Sequence, residues 1–123
     1  MAWTYQQSTG QLTDPNGNVV ATGYSGHNGG INDPSQQSVP NVGPLPQGNY
    51  TIGPAHTPPD HLGPVALPLY PDPANEMFGR FGFFMHGDNQ FMNHTASDGC
   101  LIFPLVVREQ VVSSGDTSLV VVE

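Results

Sequence analysis

The sequence predicts a mostly-β domain with one short helix, and three observations carry that expectation. Thirteen prolines and fifteen glycines are spread through 123 residues, which breaks up any long helix and favours short strands joined by turns. Several short β-prone runs are bounded by such turn residues, Trp3–Gln6 and Leu119–Val122 among them. Only one stretch, Pro104 to about Ser113, has helical spacing. A chain of this length fits one domain, residues 1–123, and shows no internal repeat, linker or low-complexity tail.

Taken in order, the opening reads as a hairpin. Trp3-Thr4-Tyr5-Gln6 is one strand, Asp14-Pro15-Asn16-Gly17 a turn, and Val19-Val20-Ala21-Thr22 the start of another strand. Asn16-Gly17 supplies the positive φ angles that such turns need. From Ser25 to Gln47 the chain is polar and glycine-rich, too long for a passive connection, and is expected to be an ordered loop lining something. Gly48–Gly53 follows as a strand. Residues 54–64 hold four prolines and are expected to be irregular. Val65–Leu69 and Phe81–Met85 read as strands, the second so apolar that burial on both faces is expected. In the helix, Pro104 suits the first turn, and Leu105, Arg108, Glu109 and Val112 fall at helical spacing. Gly115 is the stop, and Leu119–Val122 closes the chain as a core strand.

Composition excludes several function classes. There is no lysine, and two arginines stand against ten acidic residues, a formal charge of −8. Nucleic acid is therefore not an expected partner, since phosphate binding needs clustered cations. Attachment to an anionic membrane is disfavoured on the same ground, and no run approaches the roughly 20 apolar residues that span a bilayer. The N-terminus lacks the basic start and apolar segment of a signal peptide, so action outside the cytoplasm would require dedicated export. Cys100 is the sole cysteine, which rules out an internal disulfide.

The chemistry concentrates in Phe84-Met85-His86-Gly87-Asp88-Asn89 and Ala96-Ser97-Asp98-Gly99-Cys100-Leu101-Ile102. A buried strand delivers His86 to its end, and Cys100 follows a glycine at the start of the next apolar run. Both side chains are expected where strands emerge into loops, the usual place for reactive groups on a rigid scaffold. A thiol attacks as the thiolate, and a neighbouring imidazole generates that form by taking the proton. Cys100 is thus the candidate nucleophile and His86 its base. Gly99 leaves room for a substrate carbonyl, and the amides around Gly99 and Cys100 are candidate oxyanion donors, worth roughly 3 kcal/mol each. Ser97, Gly87 and Asp88 are supporting candidates. The orienting partner of His86 need not be a carboxylate, because a backbone carbonyl serves as well.

His86-Gly87 followed by Ser97-Asp98-Gly99-Cys100 resembles the catalytic signature of the L,D-transpeptidases (YkuD-like domains), in which HG precedes SxGC. The upstream chain resembles one branch, the L,D-transpeptidase effectors delivered by type VI secretion. The matching stretches are Ala21–His27, Asn32-Asp33-Pro34 and Val39–Gly53, so the likeness covers nearly the whole chain. The resemblance implies an L,D-transpeptidase-like mixed β-sheet sandwich with its helix after the nucleophile. It also implies a thioester on Cys100, peptidoglycan stem peptides as substrates, and removal or exchange of the terminal D-alanine of tetrapeptide stems without a cofactor. An immunity protein, a secretion-apparatus component and action in the periplasm of a target bacterium follow from the same likeness. One departure stands out: most of these enzymes carry an arginine two residues after the cysteine, where this chain has Ile102. Arg80 is the candidate to take its place, and Arg108 reads as a helix-surface residue.

Other readings stay open at this stage. Cys100 and His86 are also residue types that fill cores. Tyr24, His27 and Arg80 are candidate substrate contacts, although Tyr24 and Tyr50 also suit strand packing. His56 and His61 read as exposed, and His94 as a bystander. His86, Asp88, His94 and Cys100 are acceptable zinc ligands, which keeps a metal hydrolase in view, but their spacing matches no zinc-peptidase pattern and no metal is expected. A non-catalytic module binding wall peptides or a partner protein is the third reading.

Overall fold

The computed structural model describes residues 2–55, 65–87 and 99–123. In chain order the strands are β1 (Trp3–Gln6), β2 (Gln11–Thr13), β3 (Val19–Thr22), β4 (Tyr24–Ser25), β5 (Gly48–Ile52), β6 (Leu67–Pro71), β7 (Phe84–His86), β8 (Leu101–Ile102) and β9 (Ser118–Val122). Helix α1 (Leu105–Ser114) lies between the last two. These strands form one mixed sheet in the order β3-β2-β1-β9-β5-β6-β7-β8-β4. Its two outermost strands, β3 and β4, are neighbours in the chain, with only Gly23 between them. That continuity obliges the sheet to curl until its edges meet, and the expected sandwich takes the form of a nearly closed barrel.

Side chains alternate across the wall as strand geometry requires. Trp3 and Tyr5 of β1, Leu12 of β2, Tyr50 and Ile52 of β5, and Leu119 and Val121 of β9 point to the interior. Leu67 and Leu69, Met85 and Leu101 continue that inner layer through β6, β7 and β8. Val107 and Val111 of the helix plug the same core, and Tyr5 meets Phe103 edge-on at 6.0 Å between ring centroids. The indole of Trp3 donates to Ser114 Oγ at 3.1 Å, which satisfies its one polar atom inside the core.

The Asp14–Gly17 turn is present, held by Asp14 Oδ1 accepting from the amides of Asn16 and Asn18 at 2.9 and 3.0 Å. It joins β2 to β3, and not β1 directly to β3; three residues give β2 too little pattern to be read. The strand expected over Phe81–Met85 begins only at Phe84. Phe81 is 89% exposed, because the backbone turns at positive φ through Gly79 and Gly82, so burial on both faces does not extend to it. The helix starts and stops close to expectation: Pro104 caps it, and Gly115 ends it at φ 73° with its N–H on Val112 O. Its buried stripe differs. Val107, Arg108 and Val111 face inward, whereas Leu105, Glu109 and Val112 face out.

The loop after β4 is ordered. It carries two short 3-10 helices, Asn28–Gly30 and Pro34–Gln36, the second capped by Asp33. Buried Gln7 fixes it to the barrel by donating to Leu45 O at 2.8 Å and Gln37 Oε1 at 3.2 Å. Asp88, Ser97, His56, His61 and His94 lie outside the described residues, as does most of the proline-rich stretch expected to be irregular. Among the described residues, no helix is long and apolar enough to cross a membrane.

Candidate active site

Strands β7 and β8 are parallel neighbours, with Met85 opposite Leu101 and His86 opposite Ile102. Paired residues share a face, and alternate residues repeat it. Cys100, one residue before Leu101, therefore lies level with Phe84 and on the same face as His86. The Phe84 amide makes that alignment explicit by donating to Cys100 Sγ at 3.3 Å. Met85 and Leu101 occupy the other face, in the core. The core-ward residues thus hold the two strands in register, and register puts Cys100 and His86 on one face, two residues apart along the strand direction.

His86 is only 3% exposed, and its Nδ1 lies 2.8 Å from the carbonyl oxygen of Gly87. With the proton on Nδ1 donated to that carbonyl, the basic lone pair resides on Nε2. A backbone carbonyl thus takes the orienting place that a carboxylate holds in a three-residue relay. Cys100 is a free, half-buried cysteine. An amide aimed at its sulfur favours the thiolate, and an imidazole on the same face is a group able to take the proton. Chemically, the arrangement suits nucleophilic attack on a carbonyl.

The turn before the cysteine is built from three sides. Gly99 adopts φ +134°, and a Cβ there would meet Arg80 Nη2 at 2.4 Å and Phe83 Cε1 at 2.6 Å. The room left by the missing side chain is therefore filled by Arg80 and Phe83, and not reserved on that side for a substrate carbonyl. From the opposite strand, Ser25 Oγ donates to Gly99 O at 2.9 Å while accepting from the Leu45 amide at 2.8 Å. Sequence reasoning missed Ser25; a lone serine in a polar segment gives no signal, and only the β4–β8 pairing of Ser25 with Leu101 reveals it.

The two arginines are placed differently from expectation. Arg80 is 7% exposed and lies under the Gly99 turn instead of in the open as a substrate contact. Its Nη1 donates to Gln37 O and Pro44 O at 2.6 and 2.8 Å, and its Nη2 to Gly43 O at 2.9 Å. Its guanidinium carbon is 5.2 Å from the Phe83 ring centroid. Burial lowers its pKa, while Tyr50 and Cys100 act in the opposite direction. Arg108, expected on the helix surface, is 3% exposed. It donates to Phe103 O and, through Nε, to Val65 O at 3.1 Å, and its Nη1 lies 2.9 Å from where a Gly87 Cβ would be. An arginine in an amphipathic stretch looks solvent-directed until the carbonyls that cage it are known.

Tyr24 is buried and pairs with Ile102, in one row with His86, which makes it part of the wall behind the site and not an open platform. His27 follows β4, its backbone amide bonded to Val42 O at 2.8 Å and its Nδ1 buried with no hydrogen-bond partner among the described residues. Among the described residues no three His, Cys, Asp or Glu side chains gather as a metal site, and two members of the zinc set, Asp88 and His94, lie outside them.

No curated protein and no solved structure matches the chain. The family model of the Tlde1 domain matches residues 19–118, a span that runs from β3 to the start of β9 and takes in both Cys100 and His86. The chain belongs to the Tlde1 family, named for L,D-transpeptidase effectors of type VI secretion.

Proposed function

We propose that this chain is a cysteine-dependent peptidoglycan enzyme that removes or exchanges the terminal D-alanine of tetrapeptide stems. The observation that supports it most is the β7–β8 register, which puts Cys100 on the face that His86 shares, with Gly87 O on the imidazole and the Phe84 amide on the sulfur. His86 Nε2 takes the thiol proton, and the thiolate attacks the carbonyl joining the third stem residue to D-alanine. The tetrahedral intermediate collapses as the C–N bond breaks. D-alanine leaves with the proton from His86, and the acyl group remains on sulfur as a thioester. Water, deprotonated by His86, releases a tripeptide and restores the thiol. A free D-amino acid attacking the same thioester gives exchange, and an amine of a second stem gives a cross-link.

Family membership favours an antibacterial effector that trims donor stems in the periplasm of a target cell. Such a role entails an immunity protein in the producer and delivery by the secretion apparatus. The test is incubation of the protein and its Cys100→Ala variant with a disaccharide tetrapeptide, read by mass spectrometry. Loss of D-alanine, or its replacement by an added D-amino acid, is expected in the wild type only. No mass change with either tetrapeptide or pentapeptide removes the proposal, and equal turnover by both proteins removes Cys100 as nucleophile.

A further inference from the structure

The chain has only two permanently cationic side chains, and both are buried against a glycine that adjoins one member of the dyad. Arg108 abuts Gly87, after His86; Arg80 abuts Gly99, before Cys100. Burying a guanidinium is costly unless its donors are satisfied, and a structure retains one where its charge or its geometry is used. Arg80 has both uses within reach. The carbonyls of Gln37, Gly43 and Pro44 fix its plane. The Phe83 ring lies against its face, and the close approach to Gly99 sets it one residue from the sulfur.

We propose that Arg80 is a positioning residue for Cys100, a buried cation that seats the Gly99 turn and stabilises the Cys100 thiolate. The inference rests on the reading of Cys100 as nucleophile. Its physics is that of a cation near a thiol: the charged form gains and the neutral form does not. Electrostatic interaction between Arg80 and Cys100 supports it. Since the three carbonyls belong to the loop after β4, order in that loop and the reactivity of the thiol are coupled through one side chain.

Other titratable groups on the elements packed round Cys100 are His86 on β7, Tyr24 on β4, His27 in the following loop, and Arg108 beneath Gly87. Asp88, His94 and Asp98 lie outside the described residues. His86 acts on the thiol directly, so the midpoint of any thiol titration belongs to the pair. The contribution of Arg80 is the change that its removal makes with His86 left in place.

The experiment measures the pH dependence of iodoacetamide alkylation of Cys100, which needs no peptidoglycan, beside the melting temperature. In the wild type the midpoint is expected below the ordinary thiol value of about 8.5. Arg80→Met is expected to raise the midpoint by about one unit or more, slowing alkylation about tenfold at pH 7. Arg80→Lys is expected to keep most of the midpoint while melting lower, because one ammonium cannot span three carbonyls in a plane. Arg80→Gln, neutral but still a donor, serves in place of Arg80→Met should that variant not fold. Folded neutral variants with the wild-type midpoint overturn the proposal, as does an Arg80→Lys variant whose midpoint rises as far as that of Arg80→Met or Arg80→Gln. Failure of the wild type to process tetrapeptide, with the alkylation pattern as expected, removes the assigned reaction and leaves the role of Arg80 standing.

Discussion

The two halves of the candidate site are built alike and stiffened differently. After His86, Gly87 follows β7, with the Arg108 guanidinium where its side chain would otherwise be. Before Cys100, Gly99 turns into β8, with Arg80 closer still and the Phe83 ring beside it. Gly87 is not among the glycines at positive φ, whereas Gly99 is, at +134°. The histidine side therefore needs only space at its glycine, and the cysteine side needs both space and a backbone conformation that L-residues avoid. In the proposed reaction a base has only to be aimed, and one carbonyl lies on the His86 Nδ1. A nucleophile would have to be aimed and ionised, and the turn before Cys100 is gripped from three directions.

The largest test of that contrast is to put a methyl group on each turn. Gly99→Ala is expected to cost about 2–5 kcal/mol of stability, combining unfavourable φ with a clash against a guanidinium that three carbonyls hold in place. Turnover should fall at least 100-fold. Gly87→Ala is expected to cost about 1 kcal/mol, since only the tip of Arg108 has to yield. Chemical denaturation of both variants checks the order, and equal losses would erase the distinction between the two turns.

Next in size is Arg108→Met. It strips donors from the carbonyls of Phe103 and Val65, and a loss of about 2–3 kcal/mol is expected. The alkylation midpoint of Cys100 should move far less than in Arg80→Met, because Arg108 braces the side that carries His86. A midpoint shift as large as that of the Arg80 variant would mean that the two cations act as one field and not as two separate supports. Ser25→Ala is smaller, about 1–2 kcal/mol, from leaving Gly99 O and the Leu45 amide without their shared hydroxyl. Its effect on turnover should exceed that of Gly87→Ala, because it loosens the cysteine side. Paired melting curves and tetrapeptide assays separate the two.

How much of this was legible in the sequence depends on whether a residue's role is local. Gly115 stops the helix and Asp14–Gly17 makes a turn because those outcomes follow from the residues themselves. The place of His86 at the end of one apolar strand, and of Cys100 just before another, was legible. Strands β2 and β4 were not, being three and two residues long and defined by partners distant in the chain. Phe81 is apolar without being buried, because the glycines on either side of the Arg80-Phe81 pair turn the backbone and leave the ring in solvent. Arg108 is charged without being exposed: carbonyls at Phe103 and Val65 make an interior place for a charge, and no pattern in the helix announces them. The Arg80 cage likewise depends on the path of a polar loop whose turns were readable but whose destination was not.

The smallest expected effect concerns the far side of Arg80. Tyr50 donates from its hydroxyl to Pro46 O at 2.7 Å, and burial pushes its pKa well up, with Arg80 acting against that rise; burial pushes Tyr5 up likewise. A tyrosine whose pKa is higher folded than unfolded keeps its proton longer in the native state. Above the unfolded value of about 10 the native chain binds more protons, so stability falls as pH rises; below it these groups contribute no slope. The melting temperature should therefore stay flat, as far as these tyrosines are concerned, from pH 7 to 9 and drop beyond pH 10. Tyr50→Phe should cost about 1 kcal/mol at neutral pH and make the alkaline drop shallower. In an Arg80→Met background the drop should continue to higher pH before it levels, because the phenolate loses the cation that stabilises it and the native phenol keeps its proton longer, whereas in an Arg108→Met background it should not. A drop that levels at the same pH in both backgrounds would show that the field of Arg80 does not reach Tyr50, and would weaken the case that it reaches the sulfur.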